Sequence, residues 1–154
     1  MADPHPQSLL DPRGPRFAAW LTTAVLIVVL VTGSGWLALA QAAVFAITAY
    51  RPQWGPYSLV YRTLVAPRLG RPSELEPAAP VRFAQLVGLI FLVVATSGYL
   101  SGAVVVGLVA TAFALIAAFL NAAFGLCLGC EAYLLIRRTL NRPLPARINT
   151  SEGA

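Results

Sequence analysis

Two cysteines stand three residues apart in the run Asn121-Ala122-Ala123-Phe124-Gly125-Leu126-Cys127-Leu128-Gly129-Cys130-Glu131. Two thiols at this spacing can cycle between dithiol and disulfide, because the local backbone brings the sulfurs together without moving domains. If the run is helical, Cys127 and Cys130 share a face with Glu131, a candidate proton shuttle, and Asn121 lies about 9 Å deeper. Helix polarity decides reactivity. A break at Gly125 would set Cys127 at a helix N-terminus and favour the thiolate, whereas an unbroken helix would not. Arg137 and Arg138, farther along, would bias the potential the same way. The competing reading is packing: Gly125 and Gly129 form a small-xxx-small face where a second helix approaches closely and the thiols are inert filler. No resident metal is expected, since two thiolates fill half a tetrahedron unless a second subunit or Glu131 completes it. No histidine lies in an apolar segment, which excludes histidine-ligated haem or iron within the bundle, and no cofactor is expected. Gln41, Gln85 and Asn121 are the only amide side chains within the apolar runs, and hydrogen bonding across helices is their ordinary role. Converging beneath Cys127, they could instead hold a quinone carbonyl or a persulfide-bearing substrate.

The elements that position these groups follow from composition. Of 154 residues, 58% are hydrophobic and 11% charged, far from the roughly 45–50% and 25% of soluble domains. A water-soluble core cannot account for that balance. The net charge of +5 rests on arginine without any lysine, and the arginines flank apolar runs, where they meet anionic lipid headgroups rather than nucleic acid.

Proline and charge make residues 1–16 a disordered arm. Residues 17–50 carry no charge and are too long for one span, so Gly33-Ser34-Gly35 divides them into Phe17 to Thr32 and Trp36 to Tyr50. Residues 51–82 form a loop outside the hydrocarbon, with an interfacial helix over Pro56 to Ala66 that places Tyr57, Val60, Tyr61 and Leu64 on one face. Residues 83–130 make a second hairpin, Phe83 to Ser97 and Ala103 to Phe124, broken at Ser97 to Gly102 and ending in the cysteine pair. Residues 131–154 form an amphipathic helix and tail. A cleaved signal peptide with Ala38-Leu39-Ala40 as its processing site is the rival reading of the first run, disfavoured because apolar sequence continues beyond it. All arginines fall on one side of this four-span arrangement, with Arg16, Arg82, Arg137 and Arg138 at the membrane interface. The positive-inside rule then places both termini in the cytoplasm of a multi-pass inner-membrane protein.

Pro15-Arg16-Phe17-Ala18 reappears, one residue longer, as Pro80-Val81-Arg82-Phe83-Ala84. Tyr57-Ser58-Leu59-Val60-Tyr61-Arg62-Thr63-Leu64 matches Tyr133-Leu134-Leu135-Ile136-Arg137-Arg138-Thr139-Leu140. Similarity in the same order beside both apolar runs indicates a duplicated two-span unit, a parallel repeat about an axis along the membrane normal. The expected fold is therefore all-α, with four transmembrane helices as two tandem hairpins.

Asp11-Pro12-Arg13 with Pro15-Arg16-Phe17, Pro80 with Arg82-Phe83-Ala84-Gln85, and Asn121 with Cys127-Leu128-Gly129-Cys130-Glu131 and Tyr133 together resemble the bacterial domain-of-unknown-function family 4395, over about Asp11 to Arg142. The resemblance implies a small multi-spanning bacterial membrane protein of no settled activity, in the company of thioredoxin-like and sulfurtransferase proteins. Three functions are compatible with the residues. The first is thiol-disulfide or sulfur handling by Cys127 and Cys130, with a thioredoxin-like or sulfurtransferase partner. The second is a non-catalytic accessory subunit of a larger membrane complex, docked through Gly125 and Gly129. The third is a small transporter or channel built by homodimerisation, with Gln41, Gln85 and Asn121 lining its path, which the scarcity of polar residues at depth disfavours.

Overall fold

A computed structural model describes residues 9–146 together with the backbone of 148 and 149. Seven α-helices run through the described residues: α1 Arg13–Thr32, α2 Gly35–Tyr50, α3 Pro56–Val60, α4 Ala66–Leu69, α5 Ala78–Ser101, α6 Val104–Phe124 and α7 Leu128–Thr139. Short strands β1 Leu9–Leu10, β2 Glu74–Pro77 and β3 Ile148–Asn149 form an antiparallel ribbon in the order β1-β2-β3, with Leu10 opposite Glu76 and Leu75 opposite Ile148.

Helix α1 starts earlier than charge and proline alone suggested. The Arg13 amide donates to Asp11 Oδ1 at 2.9 Å, and Pro15 falls in the first turn, where a missing N–H costs no hydrogen bond. Only residues 1–8 of the expected arm lie outside the described residues. The helix ends at Gly33, whose φ of +62° closes the last turn through its N–H to the Val29 carbonyl. Ser34 then caps α2 by accepting from the Leu37 amide, so the Gly-Ser-Gly run is the predicted turn.

The second hairpin breaks later than expected. Helix α5 continues through Ser97 and Gly98 to Ser101, and reverses at Gly102, φ +84°. Ser97 folds its hydroxyl back onto the Val93 carbonyl at 2.8 Å, which satisfies it within the helix. Gly98 serves contact instead of turning: a Cβ there would lie 2.5 Å from the Gly107 backbone nitrogen, so α5 and α6 meet backbone to backbone. Tyr99 reaches across to Thr111 at 3.1 Å.

Helices α1, α5 and α6 are long and apolar enough to cross a membrane, with mean hydropathies of 1.8, 2.0 and 2.4. Helix α2 is apolar but has 16 residues, about 24 Å of rise. The core is built mainly from small residues around two leucines: Leu26, Ala42, Phe45, Leu92, Ala95, Ala110 and Ala114. Large apolar groups point outward instead, among them Val31, Trp36, Ile90 and Val105. That inversion leaves an apolar exterior far beyond what water tolerates on a monomer.

The segment after α2 is helical from Pro56 to Leu69 but bends through a π turn over Tyr61–Val65. Pro67 has no N–H to return to Thr63, and the Ala66 amide reaches back to Tyr61 instead. The expected single interfacial face divides. Val60 and Leu64 are exposed, whereas Tyr61 is buried and donates to Asp11 Oδ2 at 2.9 Å, and Tyr57 donates to Gln41 Oε1 at 2.6 Å.

Burial, and then the neighbouring Asp11 carboxylate, push the Tyr61 hydroxyl up to about 12 from 10.0. The folded state thus favours the neutral phenol, so this contribution to stability is complete below pH 10 and drains away as pH rises toward 12. Burial raises Tyr57 in the same sense. Alkaline unfolding followed by near-ultraviolet circular dichroism should therefore steepen between pH 10 and 12. Tyr61→Phe should flatten that part of the profile while lowering stability at pH 8 by about 1–2 kcal/mol, through the lost hydrogen bond to Asp11.

Candidate functional site

The chain breaks where the sequence offered an alternative. Gly125 ends α6 with φ +70°; its amide returns to Asn121, and the Leu126 amide to Leu120. Two residues later Cys127 is the N-cap of α7, and its sulfur accepts from the Cys130 amide at 3.3 Å. Cys127 and Cys130 are joined as a disulfide across a Cα–Cα distance of 5.2 Å. Both are half-buried, whereas Glu131 in the same first turn is exposed. This is the cap position at which a helix dipole and free backbone amides would favour a thiolate.

Gly129 fixes where this turn sits. A Cβ at that position would fall 2.6 Å from Ala84 Cα, so the first turn of α7 lies directly against α5. Gly125 ends a helix, while Gly129 makes the close approach, and it does so within the same chain.

The disulfide lines a cavity of about 630 Å³ whose walls come mainly from α1, α2, α5, α6 and α7, with α3 and β2 contributing. Cys127, Cys130, Glu131, Arg13 and Arg16 are among its lining residues, together with Gln85 and Asn121 and with Phe45, Phe91, Phe113 and Ala114. Gln85 and Asn121, from α5 and α6, line the same cavity as the cysteines. The break at Gly125 means that this convergence comes from tertiary packing rather than from a shared helical face. The Gln85 Oε1 atom is buried with no hydrogen-bond partner. Gln41 is kept apart: 2% exposed, it donates to Thr22 Oγ1 at 3.3 Å and accepts from Tyr57, tying α1, α2 and α3 together.

The arginines divide differently from the sequence expectation. Arg137 and Arg138 occupy the last turn of α7, about seven residues or 10 Å beyond Cys130. Arg137 donates to the Tyr133 hydroxyl at 2.8 Å, and Tyr133 in turn packs on Phe83. The cavity is lined instead by Arg13 and Arg16, of which Arg16 reaches the segment leading to the cysteines. Its Nε donates to the Ala122 carbonyl at 3.1 Å and its Nη2 to the Ala123 carbonyl at 3.2 Å, the last turn before the cysteine segment. Arg82 makes the matching contact elsewhere, from Nε to the Ala49 carbonyl at 2.9 Å near the end of α2. Sequence reasoning placed both at the headgroups and missed these bonds; their signal was the repeated Pro, Arg and Phe. Phe45, Phe91 and Phe113 were also missed, since nothing separates a cavity-lining phenylalanine from a lipid-facing one by spacing. Among the described residues no three His, Cys, Asp or Glu side chains cluster closely enough to share a metal ion.

A family model described as Domain of unknown function (DUF4395) matches residues 10–138. The chain belongs to this family. The DUF4395 match takes in both cysteines, Arg16, Gln85 and Asn121, so the cavity and its sulfur end lie within the family segment. No curated protein and no solved structure matches the chain.

For this DUF4395 protein the capping geometry predicts unequal thiols. After reduction, iodoacetamide at pH 7 should modify Cys127 about tenfold faster than Cys130, because Cys127 occupies the cap of α7. Peptide mass spectrometry over a time course measures both rates.

Proposed function

We propose that this protein is a bacterial inner-membrane thiol-disulfide exchanger in which Cys127 and Cys130 are the reacting pair. The observation that carries this reading is the disulfide at the start of α7, half-buried and lining a cavity. In exchange, a thiolate of a substrate dithiol attacks one sulfur of the Cys127–Cys130 bond and forms a mixed disulfide. The second substrate thiolate then resolves it and leaves Cys127 and Cys130 as thiols. Cys127 is the N-cap sulfur of α7, and the exposed Glu131 in the same first turn is the candidate proton carrier for the departing thiolate.

The accompanying topology is four spans in two tandem hairpins, with both termini and the cysteines on the cytoplasmic side. Reciprocal arginine contacts support the repeat: each hairpin's first helix begins with an arginine that binds carbonyls ending the other hairpin's second helix. The ring pairs Phe17–Tyr61, at 5.8 Å and 44°, and Phe83–Tyr133, at 5.6 Å and 47°, support it too. Arginines at the cysteine end support the orientation, and a cytosolic dithiol protein of thioredoxin-like chemistry fits as the exchanging partner. Against a transport path, Leu26 and Leu92 are fully buried in the core beyond the cavity. Against docking to a larger complex through the glycines, Gly129 is already occupied by Ala84 of this chain.

Cys130→Ala leaves Cys127 unable to be resolved within its own pair. In cells it should accumulate mixed disulfides that reducing gels dissolve and that the double alanine variant lacks. Membrane-impermeant maleimide should label Cys127 only after the cytoplasmic face is opened. Absence of trapped species with wild-type expression of the variant, or labelling from outside intact cells, would contradict the proposal.

A further inference from the structure

We propose that the cavity beside Cys127 and Cys130 binds a lipid-soluble quinone, which takes two electrons from the reduced cysteine pair. This inference rests on the thiol-disulfide reading and adds the membrane-side acceptor.

Four features of the cavity select this ligand class. Its volume of about 630 Å³ falls in the range of small-molecule sites, about 300–1,000 Å³. Besides the charged Arg13, Arg16, Glu76 and Glu131, its lining carries neutral amides: Gln85 Oε1 is buried without a partner, and Asn121 lines the same space from α6. A carboxamide donates through its nitrogen to a quinone carbonyl and accepts through its oxygen from a quinol hydroxyl, so one pair of side chains serves both redox states. Beyond the amides the wall is aromatic and apolar, with the Phe91 and Phe113 rings 6.1 Å apart and inclined by 31°. Phe113 is also 57% exposed, so that wall doubles as outer surface and gives a prenyl tail a way into lipid.

The alternatives fit less well. A phospholipid acyl chain would leave both amides unpaired in apolar surroundings. An anionic headgroup would need a free cation, but of the two lining arginines Arg16 is committed to the Ala122 and Ala123 carbonyls and Arg13 donates through Nη1 to the Leu69 carbonyl at 3.4 Å. The reaction balances on the residues present. Two S–H bonds break at Cys127 and Cys130 and one S–S bond forms; two electrons and two protons pass to the quinone, whose two carbonyls become hydroxyls. A cytoplasmic dithiol then reduces the disulfide for the next cycle.

The test uses the full chain in nanodiscs of phosphatidylethanolamine and phosphatidylglycerol free of quinone. Protein reduced with dithiothreitol and desalted is mixed with decyl-ubiquinone. One quinol per protein should form as two titratable thiols disappear. Gln85→Leu and Asn121→Leu should each raise the half-saturating quinone concentration about 3- to 10-fold, with exchange between the disulfide and dithiothreitol unchanged. In wild-type protein, which needs no variant to fold, a photoactivatable azido-quinone should label α5 or α6 near these amides, and excess decyl-ubiquinone should suppress the labelling. A wild-type pair that exchanges with dithiothreitol yet leaves decyl-ubiquinone oxidised and the cavity unlabelled would overturn the quinone site and spare the exchange reading. A pair that exchanges with no dithiol would overturn both.

Discussion

The last carbonyls of a helix have no partner within it, and how they are satisfied governs the architecture of this chain. Arg16 takes those of Ala122 and Ala123 near the end of α6, and Arg82 takes that of Ala49 near the end of α2. Each bond spans from the start of one hairpin to the finish of the other, so the hairpins are pinned together at a single end of the bundle. The cysteine segment begins where one of these pins is set. Its position relative to α5 is therefore fixed from two sides, by Arg16 holding the end of α6 and by Gly129 lying on Ala84.

At the opposite end the helices need no such pins. Gly98 and Gly107 bring α5 and α6 together with only backbone between them, and Thr111 is satisfied by Gly107 and Tyr99. The small core residues allow tight packing around Leu26 and Leu92. The cavity is lined by residues from the arginine-bearing starts of α1 and α5 and from the cysteine segment. Gly88 marks the transition, since a Cβ there would collide with the Phe45 ring at 2.8 Å. One bundle is thus closed at the turns and open beside the sulfurs. A stable core and a solvent-sized interior are usually in conflict, and this division lets a short chain have both.

Much of the helical plan was legible because charge and apolar length are coarse signals. Four apolar helices and the Gly33 turn follow from residue type, whereas the break at Gly125 that makes Cys127 a cap was one of two alternatives that residue type left open. What was illegible depends on partners distant in sequence. Ser97-Gly98 looks like a turn until Gly107 is known to need the space. Tyr57 and Tyr61 look interfacial until Gln41 and Asp11 receive their hydroxyls. Arg137 and Arg138 look close to the cysteines along the chain, but a helix rise of 1.5 Å per residue carries them away while Arg16, more than a hundred positions earlier, is folded in. The convergence of Gln85 and Asn121 belongs to the same class, since neither neighbour is local.

The three-stranded ribbon has a practical corollary. Strand β2 leads directly into α5, and β1 and β3 bracket it, so the backbone near both ends of the chain is tethered beside the linker between the hairpins. A protein fused to either terminus through a short connector would be held at high effective concentration on the sulfur-bearing side of the bundle. Genetic fusion is thus a natural way to deliver a reductant, a reporter or a crystallisation chaperone to that face, and either terminus should serve as the point of attachment.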